Sequence, residues 1–184
     1  RFTAAEAERL VADGAVRVRG DGRAALLLVA VGAYQLTEAL RAADRLAERG
    51  LEPAVVYLLE PGRFREPRDA REAAVAAPAA VRDALFPAAA GVRVFLVHTR
   101  PEPFLGAVRP LDTGPGRTRA LGFINRGGTL DVAGLLFANR CTWAHAVAAA
   151  AEGMGRPASD FLSWEELAAV RGTGDPAAVL GGRG

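Results

Sequence analysis

A strand–helix–strand pattern near the start of the chain most constrains how this sequence can fold. Residues 23–32 are almost continuously apolar, which is typical of a strand covered on both faces of a parallel sheet. Over residues 33–49 apolar residues recur at helical spacing between charged residues, and Gly50 is expected to end this helix. A second apolar run follows over residues 54–59. The segment predicts a right-handed βαβ unit, the building unit of α/β folds.

The rest of the chain extends this unit into a sheet of about five strands, mostly parallel, with helices on both faces. Further strands are predicted over residues 92–97 and 118–122. Valine and arginine alternate over residues 15–19, which indicates a half-exposed strand. The turn at residues 20–22 would join it as a hairpin to the strand that follows, and would make it the antiparallel edge strand.

Capping signals and hydrophobic spacing locate the helices. Thr3 and Ser163 each fit a capping box, and Thr129 is expected to cap a helix with Asp131 in its first turn. The other helices are predicted over residues 66–77, 79–86 and 141–152, with a short one within 104–116. Residues 1–171 are predicted to form one domain, with residues 1–22 as its lead-in helix and edge strand. The glycine-rich residues 172–184 are predicted to be a flexible tail.

Composition excludes several classes of function. All 23 basic residues among the 184 are arginine, so Schiff-base and Walker-type lysine chemistry is excluded. Cys141 is the single cysteine, which excludes an internal disulfide and a thiolate-cluster metal site. The net charge of +2, without a basic run, argues against nucleic acid as a partner. No stretch reaches the roughly 18 apolar residues that a membrane helix needs.

The chain begins at Arg1 and has no signal-like segment. We therefore expect a fragment, either a domain cut from a longer protein or a chain that lacks its own start. A cytoplasmic location is also expected.

Ligands of such sheets bind beyond the carboxyl ends of the strands, which directs attention to residues 32–35, 60–64 and 98–102. His98 and Arg100 form the best polar cluster there and could bind a phosphate or carboxylate or transfer a proton. The alternative, which the sequence favours, is a histidine that caps the sheet edge and bonds to backbone. The turn at Gly32 could hold an anion on free backbone amides, although its glycine pattern favours a simple turn.

The other candidate catalytic residues are better explained by packing. His145 lies in an alanine-rich helix and is expected to be packed. No catalytic, cofactor-binding or metal-binding residue is predicted, which indicates a domain that assists catalysis or assembly.

Three passages resemble the C-terminal domain of the transketolase superfamily of thiamine-diphosphate enzymes. Residues 26–47 are similar to the strand, glycine and helix that open that domain. Residues 60–69 are similar to a passage of homodimeric pyruvate dehydrogenases. Residues 119–129 look like the loop before the domain's final helices, with Ile124-Asn125-Arg126-Gly127 in place of the family's Asp-Gly-Phe-Gly.

This resemblance implies a three-layer α/β/α sandwich with a five-stranded mixed sheet and one antiparallel edge strand. In the family, thiamine diphosphate and magnesium bind between the pyrophosphate- and pyrimidine-binding domains, so this chain would hold no cofactor itself. It would contribute to a homodimer and to active-site access. Arg63, His98, Arg100 and Asn125 are expected on the strand-end side, as anion or active-site-access contacts. The alternatives are a freestanding interaction or regulatory module of the same fold and a small-anion binder.

Overall fold

The structure, a computed structural model, describes residues 3–124 and 128–180. Within these residues one sheet contains β1 (Ala15–Arg19), β2 (Leu26–Val31), β3 (Ala54–Leu58), β4 (Val92–Val97) and β5 (Thr118–Leu121). The strand order is β1-β3-β2-β4-β5; β2 to β5 run parallel, and β1 runs antiparallel to β3. The predicted α/β fold, with a five-stranded mixed sheet and one antiparallel edge strand, is confirmed.

The predicted hairpin between the first two strands is wrong, because β1 pairs with β3. Both edges of β2 are already paired, with β3 on one side and β4 on the other, so β1 joins the sheet at its edge beside β3. Gly20 lets the chain cross the start of β3. Its φ is +74°, and a Cβ there would lie 2.8 Å from the Ala54 Cα.

Nine helices lie within the described residues. They are α1 (Ala4–Asp13), α2 (Ala33–Glu48), α3 (Ala70–Val75), α4 (Ala79–Leu85), α5 (Pro101–Ala107), α6 (Val132–Ala138), α7 (Trp143–Gly153), α8 (Trp164–Arg171) and α9 (Ala177–Leu180). Single 3-10 turns occupy Pro61–Phe64, Arg109–Leu111 and Ala158–Asp160. Both capping boxes are present, so the predicted starts of α1 and α8 at Thr3 and Ser163 are confirmed.

Two helices begin later than the sequence predicted. The helix expected over residues 66–77 is confined to α3, because the Asp69 side chain accepts the Glu72 N–H at 2.9 Å and caps it there. In the same way, Asp131 and not Thr129 caps α6, since its Oδ1 accepts the Gly134 N–H at 2.7 Å. A carboxylate at the N-cap satisfies a free backbone N–H and favours the positive end of the helix dipole.

The two faces of the sheet carry separate cores, which gives three layers. Side chains alternate along β2, so Leu26, Leu28 and Ala30 face one core while the intervening residues face the other. The first core lies under α2 and α7, whose buried alanines allow these helices to pack closely on each other and on the sheet. The second core is rich in phenylalanine and includes residues of α5.

The end of the described chain is packed against the first core. The glycine content predicted a flexible tail over residues 172–184, whereas the structure has α9 at residues 177–180. The Val179 side chain is buried, and its carbonyl accepts the Trp143 indole N–H at 2.9 Å. Residues 181–184 lie outside the described residues. Among the helices of residues 3–124 and 128–180, none combines the length and hydropathy of a membrane span.

Candidate functional site

A mainly apolar groove opens at the carboxyl ends of β2, β4 and β5, where α/β sheets bind their ligands. Its volume is about 190 Å³. Its walls come from the first turn of α2, the ends of β4 and β5, and α6. The lining residues are Tyr34, Gln35, Val97, His98, Gly122, Phe123, Val132, Leu135, Leu136, Asn139 and Cys141. We call it the carboxyl-end groove.

The turn from β2 into α2 shapes one wall of the groove. Gly32 has φ +115°, a conformation that glycine adopts without strain. A Cβ at this position would collide with the Gln35 side-chain oxygen and lie 3.3 Å from His98 Nδ1. The glycine therefore lets the Gln35 and His98 side chains approach the start of α2.

His98 is held by the neighbouring strand. Its Nδ1 lies 2.9 Å from the Val31 carbonyl oxygen, and since a carbonyl only accepts, Nδ1 carries the hydrogen. This is the backbone contact that the sequence favoured for His98. The bond fixes the ring at the junction of β2 and β4 and leaves Nε2 for a contact in the groove.

The floor of the groove is structural. Asn139 Oδ1 accepts the Ile124 N–H at 2.9 Å, and its Nδ2 donates to the Leu135 carbonyl at 2.9 Å, so it joins the chain after β5 to α6. Cys141 is buried, and its thiol donates to the Leu121 carbonyl at 3.4 Å. Burial raises the pKa of this thiol to about 12, so it is not a nucleophile near neutral pH.

Three of the four site residues expected from the sequence are described, and these three do not form one cluster. Arg63 lies on the β1 side of the sheet and donates to the Ala12 carbonyl at 2.7 Å, so it caps the end of α1. Arg100 is exposed at the start of α5, and its guanidinium makes no hydrogen bond or ion pair within the part of the chain that the structure describes. Asn125 lies outside the described residues. Of the three that the structure describes, His98 alone lines the carboxyl-end groove.

A second depression continues the groove along α2. It shares Tyr34, Val132 and Leu136 with the groove and also has a volume of about 190 Å³. Here the buried Glu38 carboxylate accepts the Trp143 backbone N–H at 2.7 Å and an Arg41 N–H at 3.0 Å. Glu38 thus occupies the N-terminus of α7 and is not available to a ligand.

His145 is packed, as the sequence predicted. Its Nδ1 lies 2.8 Å from the Thr142 hydroxyl, and its ring lies 5.6 Å from that of Phe137. Burial, with a smaller effect from Arg140, lowers the pKa of this imidazole from 6.5 to about 4. The ring is therefore neutral at physiological pH.

The groove does not fit thiamine diphosphate with its magnesium ion. Magnesium requires oxygen ligands in near-octahedral geometry. No group of three or more His, Cys, Asp or Glu residues within the described ranges could hold a metal. The polar side chains that the described residues place in the groove are a tyrosine, two amides, an imidazole and a protonated thiol, without a carboxylate.

Several groove residues were not predicted from the sequence. Phe123 and Val132 come from two segments that meet only in the folded chain, and both are about two-fifths exposed. The sequence around each residue contains no local pattern that would have predicted this exposure. Asn139 did have one, since an asparagine at the end of a predicted helix commonly bonds to backbone.

Comparison with solved structures relates this fold to transketolase. The Leishmania mexicana transketolase matches with a TM-score of 0.54 at 18% identity, over 84% of this chain and 19% of that one. The Campylobacter jejuni transketolase matches with a TM-score of 0.53 at 14% identity, over 75% of this chain and 18% of that one. A Pichia stipitis transketolase in complex with fructose 6-phosphate matches with a TM-score of 0.54 at 14% identity. The match covers 80% of this chain and 19% of that one.

The fold is that of a transketolase C-terminal domain. At these identities the likeness establishes the fold alone. The chain spans about a fifth of the length of the transketolases that it matches. Comparisons with protein-family models and with curated proteins found no match.

Proposed function

We propose that this chain is the C-terminal domain, or a separately encoded subunit, of a thiamine-diphosphate-dependent enzyme. The observation that carries the proposal is the likeness to transketolase structures over most of this chain but only about a fifth of theirs. The cofactor-binding domains would belong to the rest of the enzyme. The poor fit of the carboxyl-end groove to a magnesium diphosphate group agrees with this division.

The proposed role is assembly and active-site access. Tyr34 is 60% exposed, and Phe123, Leu130 and Val132 are each at least 40% exposed. Exposed aromatic and aliphatic side chains around a groove are typical of a surface that a partner covers. We assign this surface to the cofactor-binding domains of the same enzyme, because the matched transketolases continue far beyond the part that resembles this chain. The assembled enzyme would be a homodimer.

The reaction proposed for the assembled enzyme is cleavage next to a ketone, with transfer of a two-carbon or acyl unit to an acceptor. Thiamine diphosphate would supply the stabilised carbanion. The likeness of residues 60–69 to pyruvate dehydrogenases favours a 2-oxoacid substrate over a sugar phosphate. His98 and Arg100, at the carboxyl end of β4, are proposed as contacts near the active-site entrance.

A freestanding interaction module is the second candidate. It is supported by the completeness of the fold, since both faces of the sheet are covered and each has its own core. The small-anion site at Gly32 is less favoured. Among the described residues, no arginine lines the carboxyl-end groove, although an anion site commonly includes one.

The proposal is tested by inspecting the gene that encodes the chain and by identifying the proteins that the chain binds. The reading frame around the coding segment is examined for thiamine-diphosphate-binding domains. The tagged 184-residue chain is used as bait in source lysate with thiamine diphosphate and magnesium, and captured proteins are identified by mass spectrometry. We expect either such domains in the same frame or a captured protein that carries them, with thiamine-dependent activity on a 2-oxoacid or ketose.

Two variants locate the contact. Val132→Arg places a charge on the apolar rim and should abolish capture, or lower the activity of the one-chain enzyme. Val75→Arg, at a site in α3 that is 62% exposed and does not line the groove, should leave both unchanged. Absence of cofactor-binding domains from both the frame and the captured proteins would refute the proposal and favour the freestanding module.

A further inference from the structure

A large cleft lies at the opposite end of the sheet from the carboxyl-end groove. It has a volume of about 620 Å³ and opens at the amino ends of β4 and β5. Such a volume is within the range of small-molecule sites. Three arginines line it, Arg82 from α4, Arg93 from β4 and Arg117 before β5. We call it the arginine cleft.

Arg93 holds the walls of the cleft together. Its side chain is buried, and its guanidinium donates to the carbonyls of Phe86 at 2.8 Å, Pro87 at 3.0 Å and Ala90 at 3.2 Å. On the other wall it donates to the Leu111 carbonyl at 3.0 Å. These bonds fix both walls before any ligand enters, which lowers the cost of binding.

The other two arginines remain free to bind a ligand. The exposed Arg117 guanidinium makes no hydrogen bond or ion pair within residues 3–124 and 128–180. The one polar contact of the Arg82 side chain within those ranges is with the adjacent Asp83, at 3.4 Å. Asp112, the second carboxylate of the cleft, accepts the Gly114 N–H at 2.9 Å. Three guanidinium groups therefore face two carboxylates, and the cleft carries a net positive charge.

We propose that the arginine cleft binds a phosphorylated small molecule, with Arg82 and Arg117 on its phosphate oxygens. Guanidinium groups bind phosphate and carboxylate by paired, charge-assisted hydrogen bonds. A doubly charged phosphate can accept from two guanidinium groups at once, whereas a single carboxylate is neutralised by one. The exposed Ala88 and Pro110 provide apolar surface for the rest of the molecule, above the buried Phe86 and Leu111. This site is independent of the proposed function, because it lies at the other end of the sheet.

Isothermal titration of the 184-residue chain with inorganic pyrophosphate at low salt tests the proposal. The variants are Arg82→Gln and Arg117→Gln. Arg171→Gln is the matched control, because Arg171 is also exposed but lies in the last turn of α8 outside the cleft. We expect binding by the parent and the control, and a loss of about tenfold in affinity for each cleft variant, as for one charge-assisted bond. Binding should weaken as salt is added.

Absence of pyrophosphate binding by the parent chain would overturn the proposal, and so would equal affinity of parent and cleft variants. Citrate is the comparison ligand, and citrate binding as tight as that of pyrophosphate would refute the preference for phosphate. Thermal melting of each variant checks the fold. The melting temperature should not change, because the hydrogen bonds that join the cleft walls come from Arg93 and not from Arg82 or Arg117.

Discussion

Replacing Arg93 by methionine should be among the most destabilising substitutions in the sheet. The side chain is 5% exposed and donates to four backbone carbonyls, while burial lowers the pKa of its guanidinium. Pro87 keeps a second partner, the Ala90 N–H at 3.0 Å. The carbonyls of Phe86, Ala90 and Leu111 would each lose a charged donor inside the protein.

Each buried acceptor left without its partner costs about 1–3 kcal/mol. Relief from burying the guanidinium offsets part of this loss, by a few kcal/mol. We therefore expect Arg93→Met to lower the free energy of unfolding by about 3–5 kcal/mol. Urea denaturation followed by circular dichroism measures it.

The matched control is Arg119→Met on the neighbouring strand β5. Arg119 pairs with Glu152 at the surface, and such pairs contribute about 0–1 kcal/mol. If Arg93→Met lowers the free energy of unfolding no more than Arg119→Met does, the hydrogen bonds of Arg93 to the cleft walls do not contribute to stability. This result would refute the reasoning.

Two further predictions concern pH and packing. Because the pKa of His145 is about 4 in the folded chain and 6.5 when unfolded, the unfolded chain binds the proton first as pH falls from 6.5 to 4. Relative to His145→Gln, the parent should lose about 2 kcal/mol of unfolding free energy between about pH 7 and about pH 5, and equal losses would contradict this. Gly122→Ala should destabilise by about 1–3 kcal/mol, since the new Cβ would lie 2.6 Å from Val97 Cγ2 and also meet the Thr99 carbonyl. Gly106→Ala, in α5 with nothing within 4 Å, should instead stabilise by about 0.5–1 kcal/mol; thermal melts that rank the two variants alike would refute the packing argument.

Local patterns were sufficient to predict the centre of the fold. The strand–helix–strand unit of residues 26–58 was recognised because a buried strand and an amphipathic helix each leave a periodic signal within a few residues. The same holds for the capping boxes at Thr3 and Ser163, whose partners lie three residues away. The two partners of each such contact lie close together in the sequence, so a short stretch of sequence contains both of them.

Contacts between distant segments could not be predicted in this way. The pairing of β1 with β3 depends on which strand edge remains free once the other strands have paired. A local sequence pattern contains no information about this. The bond of Trp143 to Val179 likewise orders a segment whose glycines alone suggest a loose chain. At the carboxyl-end groove, His98 was recognised by its place after a strand. Phe123 and Val132 were missed because their exposure depends on how the chain after β5 and the start of α6 meet in the fold.

The position of β1 has a consequence for the order of synthesis. Ala15 pairs with Leu58, so β1 leaves the ribosome well before the strand that receives it. Until β3 is in place, α1 and β1 have no sheet to join, and nascent residues 1–19 remain open to other partners. The edge of β3 depends on β1 in turn. If β1 detaches, the outer edge of β3 presents unpaired backbone groups along a mostly buried apolar strand, and a second molecule could pair there. The arginines and the irregular register of β1 thus protect the nearby edge of the sheet from intermolecular pairing.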